Sequence, residues 1–425
     1  MSNHLLILGL VWPEPNSSAA GSRMIKLIKL FLLNNWKITF ASAAQKSEYS
    51  YLPQNEKIEE AIIQVNDSAF DQWISELNPD VVLFDRFIME EQFGWRVAEF
   101  CKNAIRILDT EDLHFLRHAR HQAIKDAFIP GKVDLQNDHA KREIASILRC
   151  DVSLIISSYE FELLETEFGI PNSILHYLPF KSDLEKNLKL KSFEERTDFV
   201  SIGNFFHAPN LDAVKILKKQ LWLPIRKSLP YAKLHIYGAY ISQQVLEMHD
   251  EKTGFIVHGR AEDAKTVIEN SKVLLAPLRF GAGLKGKLLD AMESGTPTVT
   301  TSIGAEGMVY QGKWNGMIAD NPEAFIKAAI ELYTNQDIWE TSQKIGIDTI
   351  RNVFSTAVHE EKLIEKINEL LDLSNKEVHR RKNFMGSILM HHTAQGTRYM
   401  SKWIELKNQT QNKLGNLSED KLPNL

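Results

Sequence analysis

Cysteine and long apolar runs are both scarce in this chain, and each scarcity excludes a class of protein. The two cysteines, Cys101 and Cys150, have no paired spacing, so neither a disulfide framework nor a structural zinc site is predicted. No stretch approaches the roughly 20 consecutive apolar residues that a membrane-spanning helix needs. The apolar run 5–12 is about one strand long and lacks the basic lead-in and cleavage pattern of a signal peptide. We therefore expect a cytoplasmic protein, with peripheral contact at the inner face of a membrane left open.

A strong charge excess and two cofactor motifs are also missing. The 425 residues carry a formal net charge of -5 and a pI near 6.3, which argues against nucleic acid as a partner. The first loop, residues 12–22, contains no Gly-x-Gly-x-x-Gly, so a nucleotide-dependent dehydrogenase or epimerase loses its main support. No Asp-x-Asp metal motif occurs, and we expect neither a metal ion nor a bound cofactor.

The order of apolar patterns predicts an α/β protein. Short apolar runs of strand type alternate with segments of helical periodicity, which is typical of doubly wound parallel sheets. The length suits two such domains and an extension. We place an N-terminal domain at 1–182, a charged linker at 183–197, a second domain at 198–373 and a basic, polar extension at 374–425.

One stretch, residues 273–301, organises the second domain. An apolar strand leads into a loop that carries Gly281, Gly283 and Gly286, where backbone conformations forbidden to other residues are allowed. A helix is expected to start at Lys287. Free backbone N–H groups and the positive end of the helix dipole therefore converge on this loop, which favours a phosphate or diphosphate there.

Three side chains add chemistry to this unit. Lys285 and Lys287 bring positive charge beside the loop. Asp290, one turn into the helix, is placed to accept hydrogen bonds from sugar hydroxyls. The alternative interpretation is an ordinary glycine loop in which Lys287 and Asp290 form a solvated ion pair.

The stretch resembles the donor-binding segment of the retaining group 1 glycosyltransferases of GT-B fold. Residues 281–287 read Gly-Ala-Gly-Leu-Lys-Gly-Lys and residues 302–307 read Ser-Ile-Gly-Ala-Glu-Gly, close to a bacterial polysaccharide and lipopolysaccharide subgroup. Two positions depart from the pattern. Asp290 stands where the family usually has a glutamate before Ala-Met. Ala282 stands where the family has the first glutamate of its paired motif. The resemblance implies two Rossmann-like domains that face each other across a cleft.

The resemblance also implies a donor site. Asp290 would hold the ribose of the nucleotide. His207 is the nearest cationic candidate where most of the wider family has arginine and lysine, so Lys285 and Arg279 are expected to carry more of the diphosphate's charge. The alternatives are a structural role for His207 and a surface charge for Arg260. The expected donor contacts are Gly203, Asn204, His207, Arg260, Arg279, Gly281, Ala282, Gly283, Leu284, Lys285 and Asp290.

Polar residues also follow the strands of the first domain, where open α/β sheets place ligands. The resemblance places Gly21, Ser22 and Arg23 on the acceptor side of the cleft, together with Asp85 and Arg86. A helix N-terminal cap by Ser22 and a local salt-bridge cluster around Asp85 are the alternatives.

The run 108–114, Leu-Asp-Thr-Glu-Asp-Leu-His, holds three carboxylates and a histidine, more than a turn requires. Such a cluster can move protons or hold sugar hydroxyls. It can also be an acid-rich helix N-terminus. By the resemblance Asp112 and His114 lie near the reacting carbon, and with Lys285 they are the expected catalytic residues.

The extension 374–425 has some amphipathic helical character and a basic first half. Docking on the first domain, pairing with a partner, contact with a membrane surface and a partly ordered tail all fit this pattern. No carboxylate or cysteine accompanies His391 and His392 at ligand spacing, so a metal site there has weak support.

Together these patterns and the resemblance predict a glycosyltransferase. It would move a sugar from a nucleotide-sugar co-substrate to a hydroxyl of a glycan or lipid-linked acceptor, with retention and without metal. The alternative is a catalytically degenerate GT-B protein that binds a nucleotide or serves as a partner subunit, because Asp290 and Ala282 depart from the family's glutamates.

Overall fold

A computed structural model describes residues 2–126, 133–182, 189–355 and 357–419, with 392–397 and 411–419 described as backbone only. The first domain contains, in the described ranges, the strands β1 (His4–Gly9), β2 (Lys37–Ser42), β3 (Ile58–Ile62), β4 (Val81–Asp85), β5 (Ile105–Asp109), β6 (Val152–Ile155) and β7 (Leu175–Tyr177). Its helices are α1 (Ala19–Leu33), α2 (Ala69–Leu77), α3 (Phe87–Phe100), α4 (His114–Lys125), α5 (Asp138–Arg149) and α6 (Ser158–Thr166).

The first sheet is parallel and has the strand order β3-β2-β1-β4-β5-β6-β7. Both of its faces are buried, as alternation along β1 demonstrates. Leu5 and Ile7 belong to an apolar core covered by α1, whereas Leu6 and Leu8 belong to a core covered by helices α2 to α6. This is the predicted doubly wound arrangement.

The second domain repeats the plan with the strands β8 (Thr197–Ile202), β9 (Leu234–Tyr237), β10 (Phe255–Gly259), β11 (Ser271–Ala276), β12 (Thr298–Thr300) and β13 (Gly316–Ile318). Its sheet is also parallel, in the order β10-β9-β8-β11-β12-β13. The helices that follow are α7 (Ala208–Ile216), α8 (Trp222–Ser228), α9 (Gln243–Leu246), α10 (Ala264–Asn270), α11 (Gly286–Glu293), α12 (Ser302–Ala305), α13 (Pro322–Thr334) and α14 (Gln336–Thr349). Five-residue π-helical turns, Leu217–Leu221 and Ile350–Phe354, join α7 to α8 and extend α14. The two faces of this sheet again bury separate apolar cores, and the predicted fold class is confirmed.

Several element boundaries differ from the sequence-based expectation. α1 begins at Ala19 because its N-cap is Ser18, whose Oγ accepts a hydrogen bond of 3.0 Å from the Gly21 N–H. Ser22 is therefore inside the helix and is not its cap. The sequence pattern predicts a helix from Asp212, but α7 begins four residues earlier, at Ala208. The edge strand β3 was not predicted, since Ile-Glu-Glu-Ala-Ile lacks a clear apolar alternation.

The C-terminal part of the chain returns to the first domain. α15 (Val358–Leu371) contributes Leu363, Ile367 and Leu370 to the apolar core beneath α1. α16 (Leu373–Lys382) and α17 (Phe384–Glu419) follow, and α17 packs against α3 and α5. Several roles were left open for the extension, and the structure shows it docked on the first domain.

One ion pair anchors α16. The Arg380 guanidinium donates to both carboxylate oxygens of Asp151, at 2.7 and 2.8 Å, and to the Lys102 and Ala104 carbonyls. The Asp151 carboxylate is only 2% exposed. Burial alone would raise its pKa, but hydrogen bonds from Arg380 and the charge of Arg106 hold the pKa below its usual value.

We expect the Arg380→Ala variant to lose about 3 kcal/mol of unfolding free energy, because a buried carboxylate would lose its main partner. Since the folded state lowers the pKa of Asp151, this stabilisation is present above the ordinary Asp pKa and is lost as the pH falls through the lowered value. The difference between variant and wild type in denaturant titrations should therefore shrink in acid. Arg381→Ala, which removes an exposed pair with Glu377, is the control and should change stability by less than about 0.5 kcal/mol. Equal losses in both variants would contradict the anchoring role.

Candidate functional site

The candidate site is the cleft between the domains, at the carboxyl ends of both sets of strands. The strand order of the first sheet reverses direction between β1 and β4, and that of the second sheet between β8 and β11. Crevices at such reversal points are where open α/β sheets bind ligands. The loops after these four strands contain most of the sequence-predicted site residues.

The glycine loop of the second domain touches the first domain directly. Gly283 has φ +64°, and its N–H donates a 2.7 Å hydrogen bond to Glu160 Oε1. A Cβ added at Gly283 would lie 2.7 Å from the Asp112 Cβ, so only glycine allows this approach. Glu160 also accepts from the Leu113 N–H at 3.0 Å. One carboxylate thus joins the predicted acceptor-side run to the predicted donor loop.

A second contact across the cleft involves Arg120 on α4. Its guanidinium forms a two-pronged ion pair with Glu306, at 2.7 and 2.8 Å, and donates to the Gly281 carbonyl at 2.8 Å. Arg120 belongs to the first domain and Glu306 follows α12 of the second. The pair therefore holds the domains in a closed arrangement around the glycine loop.

Lys285 is buried between these charged groups. Its ammonium donates to the Gly283 carbonyl at 2.7 Å, and the nearby carboxylates of Glu306, Glu160 and Asp112 all favour its charged form. Burial outweighs them and lowers the pKa of Lys285 to about 8. Burial also raises the pKa of Glu160 to about 7, and the charge of Asp112 adds to this. The cleft therefore contains a lysine and a carboxyl group that titrate close to neutral pH.

Asp112 and His114 lie side by side on the first-domain wall. Asp112 is ion-paired with Arg117, and its Oδ1 lies 3.3 Å from His114 Nε2. Burial would raise the pKa of Asp112, but Arg117 and His114 hold it below its usual value. Burial lowers the pKa of His114 to about 4. The imidazole is therefore neutral at pH 7, able to donate through one nitrogen and accept through the other.

Arg23, Asp85 and Arg86, which were predicted on the acceptor side, lie in one cluster of charged groups with Asp109 and Glu111. Arg23 and Asp109 are both buried and paired through two hydrogen bonds, Nε to Oδ2 at 2.9 Å and Nη2 to Oδ1 at 2.8 Å. Arg86, with φ +70°, lies beside Asp85 and near Glu111, which also has a positive φ. Burial, with the charge of Asp109 second, raises the pKa of Glu111 to about 8. Strained backbone at two neighbouring charged residues is a feature that functional sites share.

Gly21 and Ser22 pack against the loop that precedes α1 instead of facing the cleft. A Cβ at Gly21 would lie 2.4 Å from the backbone of Glu14, and Ser22 Oγ donates to the Pro15 carbonyl at 2.7 Å. The same loop contains Ser17, whose carbonyl accepts a hydrogen bond of 3.3 Å from the Asn204 side chain of the second domain.

The loop after β8 lies against the start of α11. Lys287 Nζ donates to Asn210 Oδ1 at 2.7 Å, and Asn210 Nδ2 donates to the Asn204 carbonyl at 2.8 Å. A Cβ at Gly203 would lie 2.7 Å from Lys287 Nζ, so the lysine rests on the glycine backbone. Burial lowers the pKa of Lys287 to about 8. His207, the N-cap residue of α7, has its pKa lowered by desolvation and by Arg117 across the cleft.

Four predicted donor contacts lie apart from this group. Arg279 is ion-paired with Asp212, with Nη2 to Oδ1 at 2.6 Å. Arg260 stacks over the Tyr49 ring at 4.2 Å. Ala282 packs against the apolar core of the first domain, and Leu284 is buried in a core that joins second-domain residues to Ile156 of the first domain.

Asp290 lies further along α11. Its side chain is exposed, within electrostatic reach of Glu293 on the same helix and of Lys26 of the first domain. The predicted solvated pair of Lys287 and Asp290 does not form as such, because the Lys287 ammonium is hydrogen-bonded to Asn210.

An aromatic group closes one end of the cleft. Phe206 and Tyr240 of the second domain stack at 4.3 Å, and Tyr49 of the first domain meets Tyr240 edge-on at 6.1 Å. The Tyr240 hydroxyl donates to Glu14 at 2.7 Å. Phe206 is exposed and provides a flat apolar surface at the cleft mouth.

The sequence analysis missed five side chains that bridge the domains, Glu14, Arg120, Glu160, Tyr240 and Glu306, and it missed Asn210, which holds Lys287 within the second domain. Asn210 and Glu306 lie within two motifs of the resembled family, Gly-Asn-Phe-x-His-x-Pro-Asn at residues 203–210 and Ser-Ile-Gly-Ala-Glu-Gly at residues 302–307, and that position was the available signal. In the sequence Arg120 lies on a helix with Arg117, His118 and His121, a pattern typical of a solvated basic face. Over the described part of the chain, no three His, Cys, Asp or Glu side chains are grouped to hold a metal ion, and no helix is long and apolar enough to cross a membrane.

A known protein family matches the part of the chain that forms the second-domain side of the cleft. A family model described as "Glycosyl transferases group 1" matches residues 196–335, which include the loop after β8 and the glycine loop. This chain has the GT-B fold of the group 1 glycosyltransferases. The predicted architecture is therefore confirmed, and residues 196–335 match the predicted family.

Solved GT-B structures resemble the whole two-domain arrangement. Staphylococcus aureus TarM, determined as a G117R mutant in complex with fondaparinux, alpha-GlcNAc-glycerol and UDP, has a TM-score of 0.65 at 10% identity, covering 87% of this chain and 100% of that chain. The pneumococcal O-GlcNAc transferase GtfA, in complex with UDP and GlcNAc, has a TM-score of 0.63 at 13% identity, covering 87% and 99%. At these identities the similarity establishes the fold.

A curated relative from Klebsiella pneumoniae, an uncharacterized 44.6 kDa protein in the cps region, is 27% identical over 192 residues. The match covers 44% of this chain, and the chain spans about half the length of that relative. The genomic region fits the polysaccharide subgroup that the sequence motifs indicate.

Proposed function

We propose that this protein transfers a sugar from a nucleotide-sugar donor to a hydroxyl of a glycan or lipid-linked acceptor, with retention and without a metal ion. The observation that carries the proposal is the meeting of Gly283 and Lys285 with Asp112 and Glu160 across the cleft. The UDP named with the TarM and GtfA structures is of the donor's chemical class.

Lys285 would stabilise the leaving diphosphate. As the glycosidic bond breaks, the diphosphate gains negative charge, so a cation fixed beside it stabilises the transition state more than the ground state. Lys285 is buried, which strengthens this interaction relative to one in water. The N-terminus of α11 and the glycine loop would supply N–H donors at the same place.

Asp112 and His114 would act on the acceptor side. A neutral imidazole beside a carboxylate can hold a sugar hydroxyl in a fixed orientation, and fixed orientation of the reactants lowers the barrier. Asp290 and Lys287, on one helix, would serve the nucleotide, with Asp290 accepting from ribose hydroxyls. Asp290 is one methylene shorter than the family's glutamate, which shortens its reach toward the ribose.

Turnover of nucleotide-sugars tests the proposal against the degenerate-protein alternative. The protein should release free nucleotide from one of a panel of UDP-, GDP-, ADP-, CMP- and dTDP-linked sugars, with chelator present throughout. The anomeric configuration of the product, followed by NMR, tests retention. Binding of a nucleotide without release of sugar to water or to any supplied glycan would favour the nucleotide-binding subunit instead.

A further inference from the structure

The outer face of α17 exposes four large apolar side chains beside one another. Tyr399, Met400, Trp403 and Leu406 are 69%, 63%, 61% and 63% exposed. At 100° per residue they occupy about one third of the helix circumference, centred on Trp403. An exposed apolar cluster of this kind marks a contact surface for another molecule or a membrane. We call these four residues the outer face of α17.

The outer face is held away from the body of the protein. On the opposite side of the helix, Glu405 is ion-paired with Arg96 of α3, and Arg398 is paired with Glu99 at 3.0 Å. Ser401 Oγ bonds to Asn66 at 3.0 Å. Because these contacts fix the rotation of the helix, the outer face cannot turn inward without breaking them.

The charge around the outer face is positive, although the whole chain is acidic. The complete chain has a net charge of -5. Arg398 and Glu405 lie on the opposite side of the helix and are neutralised by Glu99 and Arg96, so the charge beside the outer face comes from two lysines. Lys402 borders the outer face, and Lys407 projects between Trp403 and Met400, with its ammonium 5.4 Å from the Trp403 ring centroid.

We propose that the outer face of α17 binds the surface of an anionic lipid bilayer. Tryptophan and tyrosine favour the level of the lipid headgroups, where an apolar ring and a polar group are both satisfied. Lysines beside them attract anionic headgroups. The helix would lie in the plane of the interface with the first domain behind it. Binding here does not depend on sugar transfer in the cleft, so it is tested separately.

Co-sedimentation of the full-length protein with lipid vesicles tests this surface. Wild type should bind vesicles of phosphatidylcholine with phosphatidylglycerol at least about tenfold more tightly than vesicles of phosphatidylcholine alone, and added salt should weaken the binding. Trp403→Ser combined with Tyr399→Ser, and separately Lys402→Glu combined with Lys407→Glu, should each reduce binding about tenfold or more. Tyr231→Ser removes a 95% exposed aromatic ring from the second domain and should leave binding unchanged.

Three results would overturn the proposal. Equal binding to neutral and anionic vesicles would show that anionic headgroups are not recognised. A loss of vesicle binding in Tyr231→Ser equal to that of the Trp403 variant would show that any exposed ring suffices. Sedimentation velocity supplies the third: a wild-type dimer that becomes a monomer in the Trp403 variant, without vesicle binding, would assign the outer face to a second copy of the chain. Thermal midpoints of all variants should match wild type, and the lysine variant alters only charges at the surface.

Discussion

Replacing Lys285 by alanine is expected to reduce sugar transfer by about 100- to 1000-fold, the usual effect of removing one group that stabilises charge in the transition state. The ammonium is buried beside the glycine loop, where a diphosphate would gain charge. Affinity for the free nucleoside diphosphate should fall by about 1 to 3 kcal/mol in calorimetry. Lys327→Ala, at an exposed lysine on α13 of the same domain, is the matched control and should change neither quantity.

The pH dependence gives the Lys285 prediction a second readout. Burial lowers the pKa of Lys285 to about 8, so its positive charge is present below that pH and is lost above it. Nucleotide affinity of wild type should therefore weaken as the pH rises from 7 to 9, by up to about tenfold per unit above the pKa. Lys285→Arg keeps its charge in this range and should show a shallower decline. Identical profiles for wild type, Lys285→Ala and Lys285→Arg would contradict a diphosphate contact at this residue.

Adding one methyl group at Gly283 is expected to reduce turnover about 100-fold. The new Cβ would lie 2.7 Å from the Asp112 Cβ and 3.0 Å from Ile156 Cδ1, both in the opposite domain. The domains would have to separate to relieve this contact, and a shift of about 1 Å in reacting groups can cost about 100-fold in rate. Steady-state kinetics of Gly283→Ala measure the effect.

Gly312→Ala is the control that distinguishes the effect of the clash across the cleft from the effect of backbone strain. Gly312 has φ +71°, close to the +64° of Gly283, but a Cβ there would meet no atom within 4 Å. Both variants therefore carry an alanine in the left-handed region, which costs roughly 1 to 2 kcal/mol of stability. Both thermal midpoints should fall by similar amounts, whereas only Gly283→Ala should lose turnover. Equal losses of turnover would show that closure against Asp112 is not needed.

The elements of the fold that could be predicted are those that local pattern determines. The strand, glycine loop and helix of residues 271–293 follow from an apolar run, three glycines and helical spacing, and the structure has them. The start of α1 could not be fixed in this way. Ser18 and Ser22 are both competent caps, and the choice depends on how Gly21 packs against the backbone of Glu14, which sequence pattern does not contain.

Prediction of the site was limited by distance along the chain. Asp112, His114, Gly283 and Lys285 were each identified from motifs, and the structure brings them together. The groups that hold them there were not found, because Glu160 meets Gly283 and Arg120 meets Glu306 only after two domains have closed on each other. Periodicity and spacing report on neighbours within one element, and they carry no information about such pairs.

The docking of the extension shows the same limit. The sequence left docking on the first domain, a partner, a membrane surface and a partly ordered tail open, and it did not identify Arg380 and Arg398 as the residues that pair with Asp151 and Glu99 of the first domain. A positive charge that neutralises a carboxylate on a distant helix cannot be distinguished, from the sequence alone, from one that faces solvent.

The most direct test of a donor site in this cleft is calorimetric titration of the wild-type protein with UDP, GDP, ADP, CMP and dTDP. We expect one of the five to bind at micromolar strength, roughly -8 kcal/mol, and the binding to weaken in Lys285→Ala. That result would name the donor's nucleotide in the same experiment. Failure of all five to bind would contradict a donor site at the glycine loop and would favour the partner-subunit alternative.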